Sequence, residues 1–158
     1  MANEKVVVFT DGACKKNGSR SATGGIGVYW GESHPNNVSA RVNVKGVTNN
    51  ICELRAIETA LDQILVAVSD VMDGFKYVVA SDSLYAMSSL TTWYPGFIRR
   101  NWKSAAGSAI KNKDLIIAIK EKVDLLGNRV SFKYVKAHAG NAGNEAADRL
   151  ASAACTLP

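Results

Sequence analysis

Four acidic residues and one histidine stand where chemistry can be built. Asp11 closes the apolar run Val6-Val7-Val8-Phe9-Thr10, and Asp82 closes the run from Tyr77 to Ser81. Glu53 and Asp148 fall near the starts of two helical patterns, and His138 lies in the small polar loop from Lys136 to Gly143. The run ahead of Asp11, rich in β-branched and aromatic residues, predicts a central strand buried on both faces. Asp11 then shares a face with Val7 and Phe9, where a carboxylate loses hydration unless a cation or several donors compensate. Each residue has an ordinary alternative. Asp11-Gly12 can end a strand in a turn, Glu53 can complete a capping box with Asn50, and Asp82-Ser83 can cap a helix. Asp148 can sit in a first turn on dipole grounds, and a lone loop histidine is commonly a surface residue. Four separate explanations are less economical than one site. Ionised acids gathered in a cleft repel one another by several kcal/mol and call for divalent cations. Oxygen ligands without a histidine or cysteine cluster suit Mg²⁺ or Mn²⁺ rather than zinc. Two such ions about 3.5 to 4 Å apart clamp an in-line displacement at phosphorus.

The elements that must position these residues follow from periodicity. After the first strand comes the basic loop Lys15 to Ser21, whose Asn17-Gly18 pair marks a tight turn. Ile26 to Trp30 reads as a second strand, and the alternation from Val38 to Val44 as a third with one wet face, at a sheet edge. Short connections make these three an antiparallel meander. From Thr48 the apolar residues Ile51, Leu54, Ile57, Leu61, Ile64, Leu65 and Val68 recur at helical spacing. A fourth strand runs from Tyr77 to Ser81, with a short helix through Leu90 behind it. Leu115 to Leu126 predicts a helix stopped by Gly127-Asn128, Val130 to Val135 a last strand, and Asn144 to Ala154 a closing helix. Strands and helices in this alternation give an α/β sheet that gathers its functional groups at strand and helix ends.

The bulk of the chain sets limits. Its 158 residues, 47% hydrophobic and 21% charged, are enough for one domain with a substantial core, and residues 1–158 read as that single domain. Cys14, Cys52 and Cys155 are scattered and odd in number, which indicates neither a disulfide framework nor zinc and points to a reducing compartment. No secretion signal or membrane-length apolar run is present, so a cytoplasmic protein without a membrane partner is expected. The net charge of +5 implies a polyanionic partner only where it clusters. It clusters between Trp93 and Lys113. There Arg99, Arg100, Lys103, Lys111 and Lys113 are interleaved with Phe97 and Trp102, and no acidic residue lies between Tyr94 and Lys113. Cations around aromatic plates suit a phosphate backbone with its sugars and bases.

Taken together, the order and spacing of these pieces resembles type 1 ribonuclease H from Val6 to about Ala154. The resemblance is carried by Thr10-Asp11-Gly12, Asn17-Gly18, Gly25 to Trp30, Thr48-Asn49-Asn50 with Glu53, and Ser81-Asp82-Ser83. Asn101-Trp102-Lys103, Asn112-Lys113-Asp114, His138-Ala139-Gly140 and Asn144 to Asp148 complete it. It implies a ribonuclease H-like fold: a five-stranded mixed sheet with strands 1 to 3 antiparallel, strands 4 and 5 parallel to strand 1, helices on both faces and a basic protrusion. It implies that Asp11, Glu53, Asp82 and Asp148 ligate two Mg²⁺ ions, with Mn²⁺ as a substitute, and that His138 assists turnover. The implied reaction is hydrolysis of the RNA strand of RNA–DNA hybrids by a monomer, leaving 5′-phosphate and 3′-hydroxyl ends. One ion would activate water and the other stabilise the departing oxygen. Asn17, Asn49 and Asn50 would read the minor groove of the hybrid, where 2′-hydroxyls mark the RNA strand. Thr48 and Asn112 would seat a phosphate of the DNA strand, Thr48 at a helix N-terminus suited to anions. Trp93 and Phe97 would line the DNA channel, with Arg99, Arg100, Trp102 and Lys103 beside them. A nuclear location fits if the source is eukaryotic. The rival readings are a non-catalytic hybrid-binding module of the same fold and, more weakly, a DNA-acting integrase or resolvase.

Overall fold

The apolar run beginning at Val6 forms the middle strand of a five-stranded sheet in the computed structural model, which describes residues 4–70 and 74–157. This strand, β1 (Lys5–Lys15), pairs antiparallel with β2 (Thr23–Tyr29), which pairs antiparallel with β3 (Val38–Val42). On its other side β1 pairs parallel with β4 (Lys76–Ser81), and β4 pairs parallel with β5 (Val130–Tyr134). The order is therefore β3-β2-β1-β4-β5, with the predicted meander on one side and the parallel strands on the other. As expected, β3 is an edge strand; Val44 lies beyond it and is exposed.

Two expectations about β1 are corrected. The strand does not turn at Gly12 but continues to Lys15. Its partners change instead: the ladder to β4 stops at Thr10, while the ladder to β2 runs from Phe9 to Lys15. Asp11 thus sits where β1 parts from β4, a place in the middle of the chain path that opens on one side. Nor is β1 buried on both faces along its length, since Val7 is 37% exposed. The helix over that face begins only at the level of Phe9.

Helices cover both faces. On the face of Val8 and Thr10, both fully buried, lies α1 (Asn49–Asp70). Gly12 is what lets it approach, because a Cβ there would stand 2.3 Å from the backbone of Cys52 and Glu53. The glycine serves close packing, not the turn predicted from sequence. After β4 come α2 (Leu84–Leu90), the short α3 (Tyr94–Arg99) and α4 (Lys113–Leu126), which packs on α1. Leu54, Ile57, Leu61 and Ile64 of α1 meet Ile116 and Ile119 of α4 in the main core, each contributing about 1.5–3 kcal/mol by burial. A 3₁₀ turn over Gly127–Arg129 leads into β5. On the opposite face α5 (Ala142–Ala154) lies against β1 and β2. Its Gly143 meets the Phe9 ring, and a Cβ on Gly27 of β2 would stand 2.1 Å from the Ala147 carbonyl oxygen. Asp148, the next residue, is thereby held at a fixed height above the sheet. The segment from Trp93 to Lys113, read as a basic arm, contains a helix that its charge pattern concealed, with Pro95 in the first turn of α3.

Candidate active site

Each carboxylate is released from its ordinary local role by a neighbour that takes that role over. Thr48 caps α1: its Oγ1 accepts from the Ile51 N–H at 3.2 Å. Glu53 is therefore not half of a capping box with Asn50; its Oε1 accepts instead from the Gly12 N–H across the interface with β1. Ser83 caps α2, its Oγ accepting from the Ala86 N–H at 3.1 Å. Asp82 is thus left to face the sheet edge. Asn141 caps α5, accepting from the Asn144 N–H at 3.0 Å. Because α5 starts at Ala142 and not at Asn144, Asp148 lies in its second turn, beyond the reach of a dipole explanation confined to the first. Only Asp11 keeps a local contact, accepting from its own Gly12 N–H at 3.0 Å.

The released groups converge. Asp11, Glu53 and Asp82 each offer a carboxylate oxygen, and these oxygens lie within 4.8 Å of one another. Asp11 and Glu53 are only 6% and 8% exposed. Burial, then the charge of Glu53 and a hydrogen bond to it, then the charge of Asp82, hold the Asp11 carboxyl far above the usual carboxylate range; a hydrogen bond with Asp148 adds to this. Burial also raises Glu53, opposed by hydrogen bonds from Asp11, the Gly12 N–H and Ser83. Asp148 thus acts on Asp11 from α5, although it is not among the three groups within 4.8 Å. His138 is exposed at φ 56° on its loop and stands outside the carboxylate group.

The donor set fits a divalent cation. It consists of oxygen atoms alone, two of the three groups are buried, and their protonation is costly to avoid unless positive charge lies among them. Asn144, which the sequence reading passed over as the first residue of a helix, supports this set. It is 3% exposed, and its Nδ2 donates to Asp82 Oδ2 at 3.2 Å, fixing that carboxylate. Its sequence position marks it as the start of the Asn144 to Asp148 motif but gives no sign of its partner on β4.

Five of the predicted nucleic-acid contacts also come together. Asn17, Thr48, Asn49, Asn50 and Asn112 line one cavity of about 590 Å³ at the start of α1. Asn17 Oδ1 accepts from the Asn49 N–H at 3.1 Å, tying the basic loop to the helix. Lys111, one of the cations of the basic arm, and Tyr85 line the same cavity; Tyr85 was not singled out from sequence, lost in an apolar stretch. On the arm, Arg99, Arg100 and Lys103 are exposed, and Trp93 is 47% exposed. Phe97 and Trp102 are not. Each is 9% exposed, their rings lie 5.3 Å apart, and the edge of Tyr94 meets Trp102 at 5.7 Å. This corrects the reading of both as plates for a nucleic acid. Both rings belong to the main core together with Leu90, Ile116 and Ile119, so the few apolar groups of a polar arm are spent on anchoring it to the domain. Among the described residues no helix is long and apolar enough to cross a membrane.

A β3-β2-β1-β4-β5 sheet with carboxylates from β1, α1 and the end of β4 beside a helix-borne aspartate defines the ribonuclease H-like class. Residues 3–156 match the RNase H family, and the chain belongs to it. It is 37% identical over 146 residues to ribonuclease H1 of Homo sapiens, covering 92% of this chain and 48% of that protein. It is 34% identical over 149 residues to ribonuclease H of Pseudomonas paraeruginosa, covering 94% of this chain and 92% of that one. The structure of LC9-RNase H1, a type 1 RNase H with the type 2 active-site motif, is similar with a TM-score of 0.70 at 30% identity, covering 98% of this chain and 74% of that one. The chain spans about half the length of the human, rat and mouse relatives it matches.

Proposed function

We propose that this chain is an endoribonuclease that hydrolyses the RNA strand of RNA–DNA hybrids, leaving 5′-phosphate and 3′-hydroxyl ends. The observation that carries the reading is the convergence of Asp11, Glu53 and Asp82 in a member of the RNase H family. Asp11, Glu53, Asp82 and Asp148 hold two Mg²⁺ ions, for which Mn²⁺ substitutes. When bound, such a pair supplies Lewis-acid stabilisation to both the attacking and the leaving oxygen. The protein's own part is to fix the geometry: Asn144 orients Asp82, Gly12 brings Glu53 to β1, and Gly27 seats α5 so that Asp148 reaches Asp11. Asn17, Asn49 and Asn50 read the hybrid's minor groove, while Thr48 and Asn112 seat a phosphate of the DNA strand. Trp93 faces the DNA strand, and Arg99, Arg100 and Lys103 meet phosphates. Residues 1–158 act as one catalytic domain and bind the hybrid as a monomer. The three free cysteines fit a reducing compartment such as the cytoplasm.

His138, exposed and outside the carboxylate group, moves protons or helps product leave. His138→Ala therefore slows turnover by about 10²-fold, the low end for lost acid–base help; complete inactivation in single-turnover assays would give it a ligand's role instead. Changing Arg99, Arg100 and Lys103 together to alanine weakens hybrid binding and lowers the slope of log K against log salt by about 2 to 3 units. An unchanged slope in binding titrations would make this a merely solvated face. The function itself is tested by offering labelled RNA–DNA hybrid, duplex RNA and duplex DNA, each with Mg²⁺ and with EDTA. Cleavage of the hybrid alone, and only with Mg²⁺, is expected. Binding without cleavage would reassign the chain as a hybrid-binding module.

A further inference from the structure

We infer that a second cavity, built by the loop after β1 and the turn after β3, takes the unpaired continuation of the DNA strand where a hybrid ends. The inference rests on the reading of the chain as a hybrid-binding enzyme whose DNA strand passes the start of α1. The second cavity measures about 650 Å³, with Arg20 and Ala22 on one wall and Val44, Lys45 and Val47 on the other. Gly46 lines both this cavity and the one at the start of α1, so the two adjoin. Lys111 and Asn112 line only the latter. The second cavity therefore lies beyond it, on the side away from the basic arm.

Charge suits this cavity to a polyanion. No acidic residue lies between Asp11 and Glu32 or between Glu32 and Glu53, a span that holds Lys15, Lys16, Arg20, Arg41 and Lys45. Arg20 and Lys45 are exposed, and among the described residues neither stands in a salt bridge; those present join Arg55 and Lys122 to Glu58 and Asp62. Two cations brought from separate segments to one cavity, with no carboxylate to neutralise them, are placed for consecutive phosphates of a backbone. Val47 and Ala22 give an apolar surface between them, which suits the sugars. Size selects a single strand. A duplex, whose major groove alone is about 12 Å wide, does not enter a cavity of this volume.

The loop is shaped before anything binds. Asn17 is tied to α1 through the Asn49 N–H, and the Ser19 N–H and hydroxyl both donate to the Lys16 carbonyl, at 3.0 and 2.7 Å. Lys16 and Gly18 take the left-handed φ values of 56° and 86° that this closed turn requires. Arg20 is thus carried on a fixed turn, and little ordering entropy is lost when it meets a phosphate.

The test measures affinity in EDTA across a salt series for a blunt hybrid and for the same hybrid with a short single-stranded overhang on the DNA strand or on the RNA strand, at either end. Wild type is expected to gain about 3- to 10-fold from a DNA overhang at one end, the scale of two exposed charge contacts. The slope of log K against log salt should steepen by about 1 to 2 units with that overhang. Arg20→Ala combined with Lys45→Ala should lose both effects, Arg20→Lys combined with Lys45→Arg should keep them, and an overhang of neutral methylphosphonate linkages should bring no gain. A gain that survives the double alanine variant, an equal gain from an RNA overhang, or no gain from any overhang would overturn the assignment while blunt-hybrid binding leaves the wider reading standing. Failure of wild type to bind the blunt hybrid would overturn both.

Discussion

Asp11→Asn and Asp82→Asn each lower cleavage by on the order of 10³-fold or more, while hybrid affinity measured in EDTA stays near that of wild type. The size follows from the several kcal/mol that divalent ions contribute to charge developing at phosphorus, each 1.36 kcal/mol being a factor of ten. Both substitutions keep the shape of the side chain and remove one formal charge from the group within 4.8 Å. The effect divides between binding and chemistry because the two occupy different surfaces: the basic arm and the cavity at α1 carry no carboxylate of this group. Asp82→Asn is the more selective of the two, since Asn144 can still donate to the remaining side-chain oxygen. Activity within tenfold of wild type for either variant would contradict the assignment of these residues to the ion site.

A second large effect concerns stability and runs opposite to intuition. Without cations the ionisations of the buried Asp11 and Glu53 lie above the unfolded values. Burial comes first for both, joined by the charges of Glu53 and Asp82 on Asp11, while on Glu53 the charge of Asp82 adds to burial against the opposing hydrogen bonds from Asp11, Gly12 and Ser83. A carboxyl raised in the folded state contributes stability that is fully present below its unfolded pKa and is lost as pH climbs through the folded one. Metal-free wild type should therefore lose stability between about pH 4 and the neutral range and beyond. Asp11→Asn removes the most strongly raised group, so in EDTA at neutral pH it should be more stable by about 1 to 3 kcal/mol. For a chain of this size that is roughly 2 to 4 °C in Tm per kcal/mol. At pH 4 the difference should shrink. Mg²⁺ should reverse the ranking, since an ion bound only by the folded state adds RT ln(1 + [L]/Kd). Thermal melts at two pH values, in EDTA and in excess Mg²⁺, check all of this; a variant melting below wild type in EDTA would return the carboxylates to separate local roles.

The sheet was legible because its strands differ in kind. Val6 to Phe9 and Tyr77 to Ser81 are continuous apolar runs that can only be central, while the alternation from Val38 to Val42 can only be an edge. The α1 pattern was equally plain. What escaped was set by tertiary contact. Gly12 looked like a turn because its reason for being glycine lies 40 residues away, in the backbone of Cys52 and Glu53. The aromatic residues of the arm looked like stacking plates because sequence does not show that Phe97 and Trp102 face each other. The local alternatives for Glu53, Asp82 and Asp148 were set aside on economy alone; the physical reason is that Thr48, Ser83 and Asn141 cap the three helices, which leaves these carboxylates free of that role. Asn144 was visible only as the first residue of a motif and Tyr85 not at all, since a buried amide and a half-buried phenol take their roles from partners in other elements.

The most direct test is to count ions. Mn²⁺ is titrated, with bound ion followed by electron paramagnetic resonance, into the protein holding a hybrid of DNA with uncleavable 2′-O-methyl RNA. Wild type should take up two ions per chain, and Asp11→Asn should take up fewer while still holding the hybrid. No uptake by wild type, or equal uptake by the two proteins, would contradict the claim that these carboxylates form one metal site.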